Sequence, residues 1–214
     1  MWIAELWRYP VKSMAGERLE EALIRPDGIS GDRLVRVQTR EGRLVTSRTR
    51  PSLLGLRATL GADGEPLVDG RPWNSAEVAA DVERAAGKGA GLQRFEGLER
   101  FDILPLLVAT DGAVAAFGHD VRRLRPNLVI GGVAGLAERG WEGKSLRVGE
   151  VLIGIQDLRQ RCIMTTFDPD TLQQDVDVLR GINKRFGGLL ALNCSVLHPG
   201  TIRVGAPVEL IQTS

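Results

Sequence analysis

Two residue patterns in this chain carry chemistry. In Gln160-Arg161-Cys162-Ile163-Met164-Thr165-Thr166-Phe167-Asp168-Pro169-Asp170-Thr171 a thiol sits beside a fixed positive charge, at the head of a β-branched run that ends in an Asp- and Pro-containing turn. A nearby cation favours the thiolate, the form that attacks electrophiles and ligates soft metals. A free cysteine serves as readily as a small buried hydrophobe, and the local sequence leaves both readings of Cys162 open. The second pattern runs from Arg33 to Arg50, where six arginines share one acid, Glu41. If residues 33–39 and 44–50 form a hairpin in which Thr39 faces Leu44, then Arg33, Arg48 and Arg50 gather at the open end of one face. Three guanidinium groups so placed repel one another unless they share an anion. A register slip of one residue would turn every side chain over and leave the arginines solvated.

The elements that must position these groups read mostly as strands. Residues 2–8 form a short strand closed by Pro10, and 19–24 a second, ended by Pro26-Asp27-Gly28. Residues 53–60 continue as a strand that turns at Gly61-Ala62-Asp63-Gly64 into 67–68. Asn74 with Glu77 resembles a capping box for a helix to about residue 86, with Val78, Val82 and Ala85 on one stripe. The glycines of 87–91 stop that helix as a linker; no Gly-Lys-Ser/Thr follows that would make them a phosphate loop. An apolar strand over 104–110 precedes a helix carrying Val114, Phe117, Val121 and Leu124, which must end before Pro126. Arg125-Pro126-Asn127 is then a forced corner that leads into the strand 128–130 and projects polar side chains from a rigid frame. A helix over about 173–186 and a strand over 189–197 follow. Leu146-Arg147-Val148-Gly149 is echoed by Ile202-Arg203-Val204-Gly205, as paired turns of one barrel. Short strands with few helices indicate a mainly β (α+β) chain, a β-barrel with flanking helices.

Composition narrows the function classes. The net charge of +1 favours neither nucleic acid nor an anionic membrane. The basic residues divide into 24 Arg and 4 Lys, a ratio that suits phosphate recognition and that a coding bias produces as easily. Two cysteines without a Cys-x-x-Cys pair suggest neither a disulfide framework nor a zinc or iron–sulfur site. No signal peptide or membrane-spanning run is visible, and the expected location is cytoplasmic with both thiols reduced. His119 and His198 are assigned surface or turn roles, and Cys194, within an apolar run, a place in the core.

Several stretches taken together resemble one family. They are Tyr9-Pro10-Val11-Lys12-Ser13, Gly31-Asp32-Arg33, Leu44-Val45-Thr46-Ser47-Arg48 with Pro51, Arg125-Pro126-Asn127, Arg161 through Thr166 with Asp168-Pro169-Asp170-Thr171, and Arg203-Val204-Gly205 with Pro207-Val208. In this order they resemble the MOSC proteins, named for the C-terminal domain of molybdenum cofactor sulfurase, and within them the amidoxime-reducing type. The resemblance implies a β-rich N-terminal domain over 1–95 packed on a MOSC β-barrel domain over 96–214. It implies that Cys162 ligates molybdenum in the catalytic centre, and that Lys12, Ser13, Arg33, Arg125 and Asn127, with Arg48 beside them, hold the phosphate and pterin of the molybdenum cofactor. The expected reaction is reduction of N-hydroxylated compounds. Electrons would come from a separate ferredoxin-like or cytochrome b5-like protein with its reductase, since the chain ends at Ser214 without a ferredoxin domain.

Departures from the family pattern are Met14 where relatives often carry a cysteine, Arg159 where they carry a second cysteine, and Leu189 where they carry a tyrosine. The pyridoxal phosphate of the sulfurase belongs to a separate domain and is not expected here. The alternative function is a sulfur carrier, with Cys162 holding a persulfide received from a cysteine desulfurase.

Overall fold

The computed structural model describes residues 1–95 and 97–212. Its largest sheet draws strands from both ends of the chain. In spatial order these are Glu209–Gln212, Lys144–Val148, Val151–Gln160, Leu189–His198, Leu106–Thr110, Leu128–Gly131, Trp2–Arg8 and Glu17–Leu19. Leu106–Thr110 and Leu128–Gly131 run parallel, and parallel neighbours require a crossover connection. The helix Asp111–Phe117 provides it, with Thr110 capping its start by accepting from Ala113 N at 3.1 Å.

Backbone hydrogen bonds close this sheet on itself. Ile3 N donates to Ala206 O at 2.9 Å, Gly205 N to Ile3 O at 2.8 Å and Val208 N to Met1 O at 2.9 Å. The first strand therefore touches the segment that leads directly into Glu209–Gln212, at the other end of the strand order. Closure removes the unpaired edges of an open sheet and makes the structure a mainly β barrel. A second N- to C-terminal pairing, Gly200–Arg203 against Glu21–Arg25, locks the same two regions together.

Alternation along the strands fills the barrel. Ile3, Leu6, Leu106, Val108, Leu128, Ile130, Leu146, Ile153 and Cys194 are buried in one cluster, and burying each large aliphatic side chain contributes about 1.5–3 kcal/mol. Val11, Met14, Val35, Val37, Leu53, Val78 and Val82 form a second core, under the small sheet of Val35–Gln38, Leu44–Val45 and Gly91–Arg94. Phe117, Leu124, Val178, Ile182 and Phe186 make a third, where the helix Val176–Phe186 packs beside the crossover helix. No helix among the described residues is long and apolar enough to cross a membrane.

Several expected elements differ in their limits. The helix Ala76–Ala86 is capped by Ser75, not Asn74, and buries Val78, Val82 and Ala86. Asn74 lies one residue outside the cap, and Ala86 replaces Ala85 because Val78, Val82 and Ala86 are spaced four apart on one face. The strand expected over 19–24 is two strands, Glu17–Leu19 and Glu21–Arg25, which pair in different sheets. Residues 51–55 form a 3-10 turn, Pro51–Gly55, and the strand begins only at Ala58. The helix expected to reach Leu124 ends at Phe117, because Gly118 adopts φ +75° and Asp120 caps a separate turn by accepting from Arg122 N at 2.8 Å. His119 thus lies outside the helix, its ring 5.0 Å from that of Phe117.

The arginine hairpin is shorter than expected and one residue out of register. Val37 faces Val45 and Gln38 faces Leu44. This register lets both valines pack into the second core, and apolar burial decides register wherever one face is buried. Beyond Val45 the chain leaves the sheet in a turn, with Arg50 N donating to Thr46 O at 3.0 Å. The arginines after it are therefore placed by that turn and not by strand pairing.

Candidate functional site

Lys12, Ser13, Arg33, Arg48, Arg125, Asn127 and Cys162 all line one pocket. They come from well-separated segments, and the backbone explains how they meet. Residues 9–14 run beside 33–35: Arg33 N donates to Tyr9 O at 2.8 Å, Lys12 N to Val35 O at 2.8 Å and Val35 N to Pro10 O at 3.2 Å. Asn127 N donates to Leu107 O at 2.7 Å, which pins the Arg125-Pro126-Asn127 corner to the barrel. Arg161 N donates to Gly188 O at 2.9 Å, and Cys162 heads the 3-10 turn Ile163–Thr166, its carbonyl accepting from Thr165 Oγ1 at 2.9 Å. Ser13, Arg33 and Arg125 are three of the six described non-glycine residues with positive φ, at +75°, +54° and +57°. Such conformations cost of order 1–3 kcal/mol each and gather where side chains must be aimed.

Asp32 ties the two halves of the chain together. Fully buried, it accepts from Tyr9 N at 2.7 Å, from Asn127 Nδ2 at 3.1 Å and from the Arg33 guanidinium. Asn127 is held from its other side, with Oδ1 accepting from Leu107 N at 3.1 Å. The Tyr9 hydroxyl donates to Pro126 O at 3.1 Å, and burial pushes its pKa up to about 12 against the opposing pull of Arg125 and Arg33. Both of those guanidinium groups lie over the Tyr9 ring, Arg125 at 4.3 Å and Arg33 at 5.2 Å.

Asp102 organises the opposite side. Its carboxylate meets Lys12 Nζ at 2.9 Å, Arg48 at 2.7 Å and Arg159 at 3.2 Å. Burial raises its pKa, but Lys12, Arg48 and Arg159 together outweigh that and hold it at about 2. Lys12 is shifted downward by burial, against the pull of Asp102. Arg159 is steadied by Asn193 Oδ1 at 3.2 Å, itself linked to Asp157 at 2.7 Å. Arg50 takes no part, since its Nε donates to Ala86 O at 2.8 Å, outside this pocket. The expected trio at the rim is thus Arg33 and Arg48 without Arg50, because the turn at 46–50 swings Arg50 toward the end of the helix Ala76–Ala86.

Not all of the positive charge is neutralised. The Arg125 side chain makes no hydrogen bond or ion pair among the described residues, and burial lowers its pKa to about 10 against the more distant pull of Tyr9, Asp32 and Asp102. Arg161 donates through Nη2 to Leu124 O at 2.7 Å, while its Nε and Nη1 are buried without any partner. Burial and the neighbouring Arg159 lower its pKa to about 10 as well. Buried N–H groups without acceptors are rare in folded proteins; here they line the pocket that contains the thiol. About 100 Å³ is free inside it, room for a few waters at about 30 Å³ each. A larger ligand must displace side chains as it enters, and Asp102 stands among the cations it would meet.

The sequence reading did not single out Asp32, Asp102, Arg159 or Asn193 as functional, and noted Arg161 only as the cation beside the thiol. Asp32 was visible within Gly31-Asp32-Arg33. Asp102 carried no local signal, because its role exists only once Lys12, Arg48 and Arg159 converge. Cys194 is buried in the barrel, which raises its thiol pKa strongly. His198 ends its strand exposed, and neither histidine lines the pocket.

The molecule is thus a closed β-barrel with one thiol in a pocket whose cations are only partly neutralised, an arrangement chemically suited to an anion. Residues 1–102 match the MOSC N-terminal beta barrel domain and residues 111–209 the MOSC domain, and the chain belongs to the MOSC family. It is 26% identical to mitochondrial amidoxime-reducing component 1 of Homo sapiens and 27% identical to that of Mus musculus, each match covering 98% of this chain and 82% of the relative. The YUAD protein of Bacillus subtilis shares the fold, with a TM-score of 0.51 over 100% of both chains at 12% identity. The molybdenum cofactor is thereby the group the family assignment supports.

Proposed function

We propose that this protein binds the molybdenum cofactor in the Cys162 pocket and reduces N-hydroxylated compounds such as amidoximes, hydroxamic acids and hydroxylamines. The observation that carries the reading is the convergence of Lys12, Ser13, Arg33, Arg48, Arg125, Asn127 and Cys162 on one pocket that also holds the partnerless N–H groups of Arg161. The donor set fits the group: a thiolate suits a soft, polarizable metal, and guanidinium groups suit a phosphate. No cluster of three His, Cys, Asp or Glu among the described residues could encage a metal, so a metal at Cys162 takes its other ligands from a non-protein group.

When bound, the cofactor supplies the two-electron redox chemistry that removes the hydroxyl oxygen as water. Overall, the substrate gains two electrons and two protons, and the electrons come from a separate ferredoxin-like or cytochrome b5-like donor with its reductase. In this reading Cys162 is the metal ligand. Lys12, Ser13, Arg33, Arg125 and Asn127, with Arg48 beside them, would hold the cofactor's phosphate and pterin, the phosphate competing with Asp102 for Lys12 and Arg48. Asp32 acts through Arg33 and Asn127 as a positioning residue.

The test is metal analysis of protein purified with its native cofactor. About one molybdenum per chain is expected in the wild type, and a loss of tenfold or more in Cys162→Ala with an unchanged melting curve. Loading that is unaffected by the substitution overturns the ligand assignment. A persulfide on Cys162 with no bound pterin favours the sulfur carrier instead.

A further inference from the structure

A second pocket lies directly against the first. Arg123, Arg125 and Met164 line both and so form the partition between them. The second cavity is larger, about 470 Å³, within the range of small-molecule sites. Its aromatic walls are Trp7, Tyr9 and Phe167. Trp7 is fixed by its Nε1, which donates to Glu5 Oε2 at 2.7 Å, and Tyr9 by its bond to Pro126 O. Gly16 completes the Tyr9 wall: a Cβ there would stand 2.5 Å from Tyr9 Cδ1 and 2.3 Å from Arg8 O, so only glycine lets the backbone lie on that ring.

The charges in this pocket fall into two groups. Arg122 is held by Asp120 and Asp170 at 2.7 Å each, and Arg123 by Asp168 at 3.0 Å. The side chains of Arg18 and Arg57, like that of Arg125, have no acceptor among the described residues. Arg18 and Arg57 reach the pocket from different segments, the strand Glu17–Leu19 and the residue just before the strand Ala58–Leu60. Neither belongs to the motifs that point to the Cys162 pocket. Tyr9 and Phe167 are themselves buried, so the partly exposed Trp7 is the face left for a flat ring to stack on, and the unneutralised guanidinium groups offer an anion charge-assisted hydrogen bonds.

We infer that this second pocket is a binding site for a flat, conjugated molecule carrying a carboxylate, with the ring against Trp7 and the carboxylate on Arg18 and Arg57. The site stands on its own geometry, whether or not Cys162 holds a metal.

Isothermal calorimetry on the full chain with 2-naphthoate and its neutral counterpart 2-naphthamide tests the site. The carboxylate is expected to bind about tenfold more tightly than the amide, as two solvent-accessible charge-assisted contacts allow. Arg18→Gln/Arg57→Gln should abolish that preference. Both residues are exposed, so the double variant should melt as the wild type does. Trp7→Ala should weaken both probes alike. Equal binding of the two probes, or a preference that survives in the double variant, overturns the proposal. Molybdenum and pterin contents are measured on the same variant. If they fall with the naphthoate preference, the pocket is part of the cofactor's seat and the separate site is overturned. If the wild type carries no molybdenum, the reductase reading fails while the calorimetry still decides this one.

Discussion

On the Asp102 side of the Cys162 pocket, Lys12, Arg48 and Arg159 share one carboxylate. On the Tyr9 side, Arg125 and Arg161 are partly buried, with Nε and Nη1 of Arg161 wholly so, yet neither forms an ion pair with a carboxylate among the described residues. Burial penalises an unpaired charge far more than exposure does, so the costly arrangement stands where a fold selected for stability alone would avoid it. The difference separates the two roles. In the proposed reading, the Asp102 side holds an internal anion that an incoming anion would replace, and the Tyr9 side, organised by Asp32, is where a ligand would complete the unpaired arginines.

The largest expected effect comes from breaking that framework. Asp32→Ala leaves Arg33, Asn127 Nδ2 and Tyr9 N without their acceptor and should destabilise the protein by about 3 kcal/mol, read from urea unfolding. A loss below about 1 kcal/mol would mean the Tyr9 side is organised by something other than Asp32.

Arg161→Met sharpens the contrast. Removing a paired buried arginine costs about 3–5 kcal/mol, but here two N–H groups are already partnerless. Relief of their burial offsets the lost bond to Leu124 O, so unliganded stability should change by less than about 1 kcal/mol. Retained molybdenum should still fall about tenfold. A large destabilisation without loss of metal would show that Arg161 serves the fold and not the ligand.

The smallest effect belongs to Asp102→Asn, because its ion pairs are partly solvated and contribute a few tenths of a kcal/mol each. The sign follows from the depressed pKa. The ionised Asp102 stabilises the fold above the ordinary carboxylate value of 3.8, and that contribution is lost as the pH falls toward about 2. The stability gap between wild type and variant should therefore be constant from pH 7 to about 5 and close between about 4 and 2. A gap that widens on acidification would reverse the role given to Asp102.

Much of the site was legible because its residues occur in short, ordered stretches. Lys12-Ser13, Gly31-Asp32-Arg33, Arg125-Pro126-Asn127 and Arg161-Cys162 each mark a turn next to a strand, and it is the resemblance of these stretches, in order, to the MOSC family that joins them into one site. The arginine hairpin shows the limit. Alternation alone could not choose between two registers one residue apart, and the choice fell to packing of Val37 and Val45 against the second core. Arg50 left the pocket because the turn at 46–50, which lies beyond the paired residues, carries it to Ala86 O. Cys162 and Cys194 make the point for one residue type, since nothing in composition separates a thiol on a 3-10 turn in a pocket from one inside a barrel strand.

The sequence by itself determined the mainly β character, the corner at Pro126 and the short turn segments next to strands on which the candidate residues sit. These depend on neighbours within a few positions. Only the tertiary structure decided that the first strand closes the barrel against residues 205–208, that Lys12, Arg48 and Arg159 converge on Asp102, and that the Arg125 side chain and two nitrogens of Arg161 find no acceptor among the described residues. Those features depend on contacts between segments far apart in the chain, and the free energy that selects them is apolar burial summed over the whole core, which no local stretch contains.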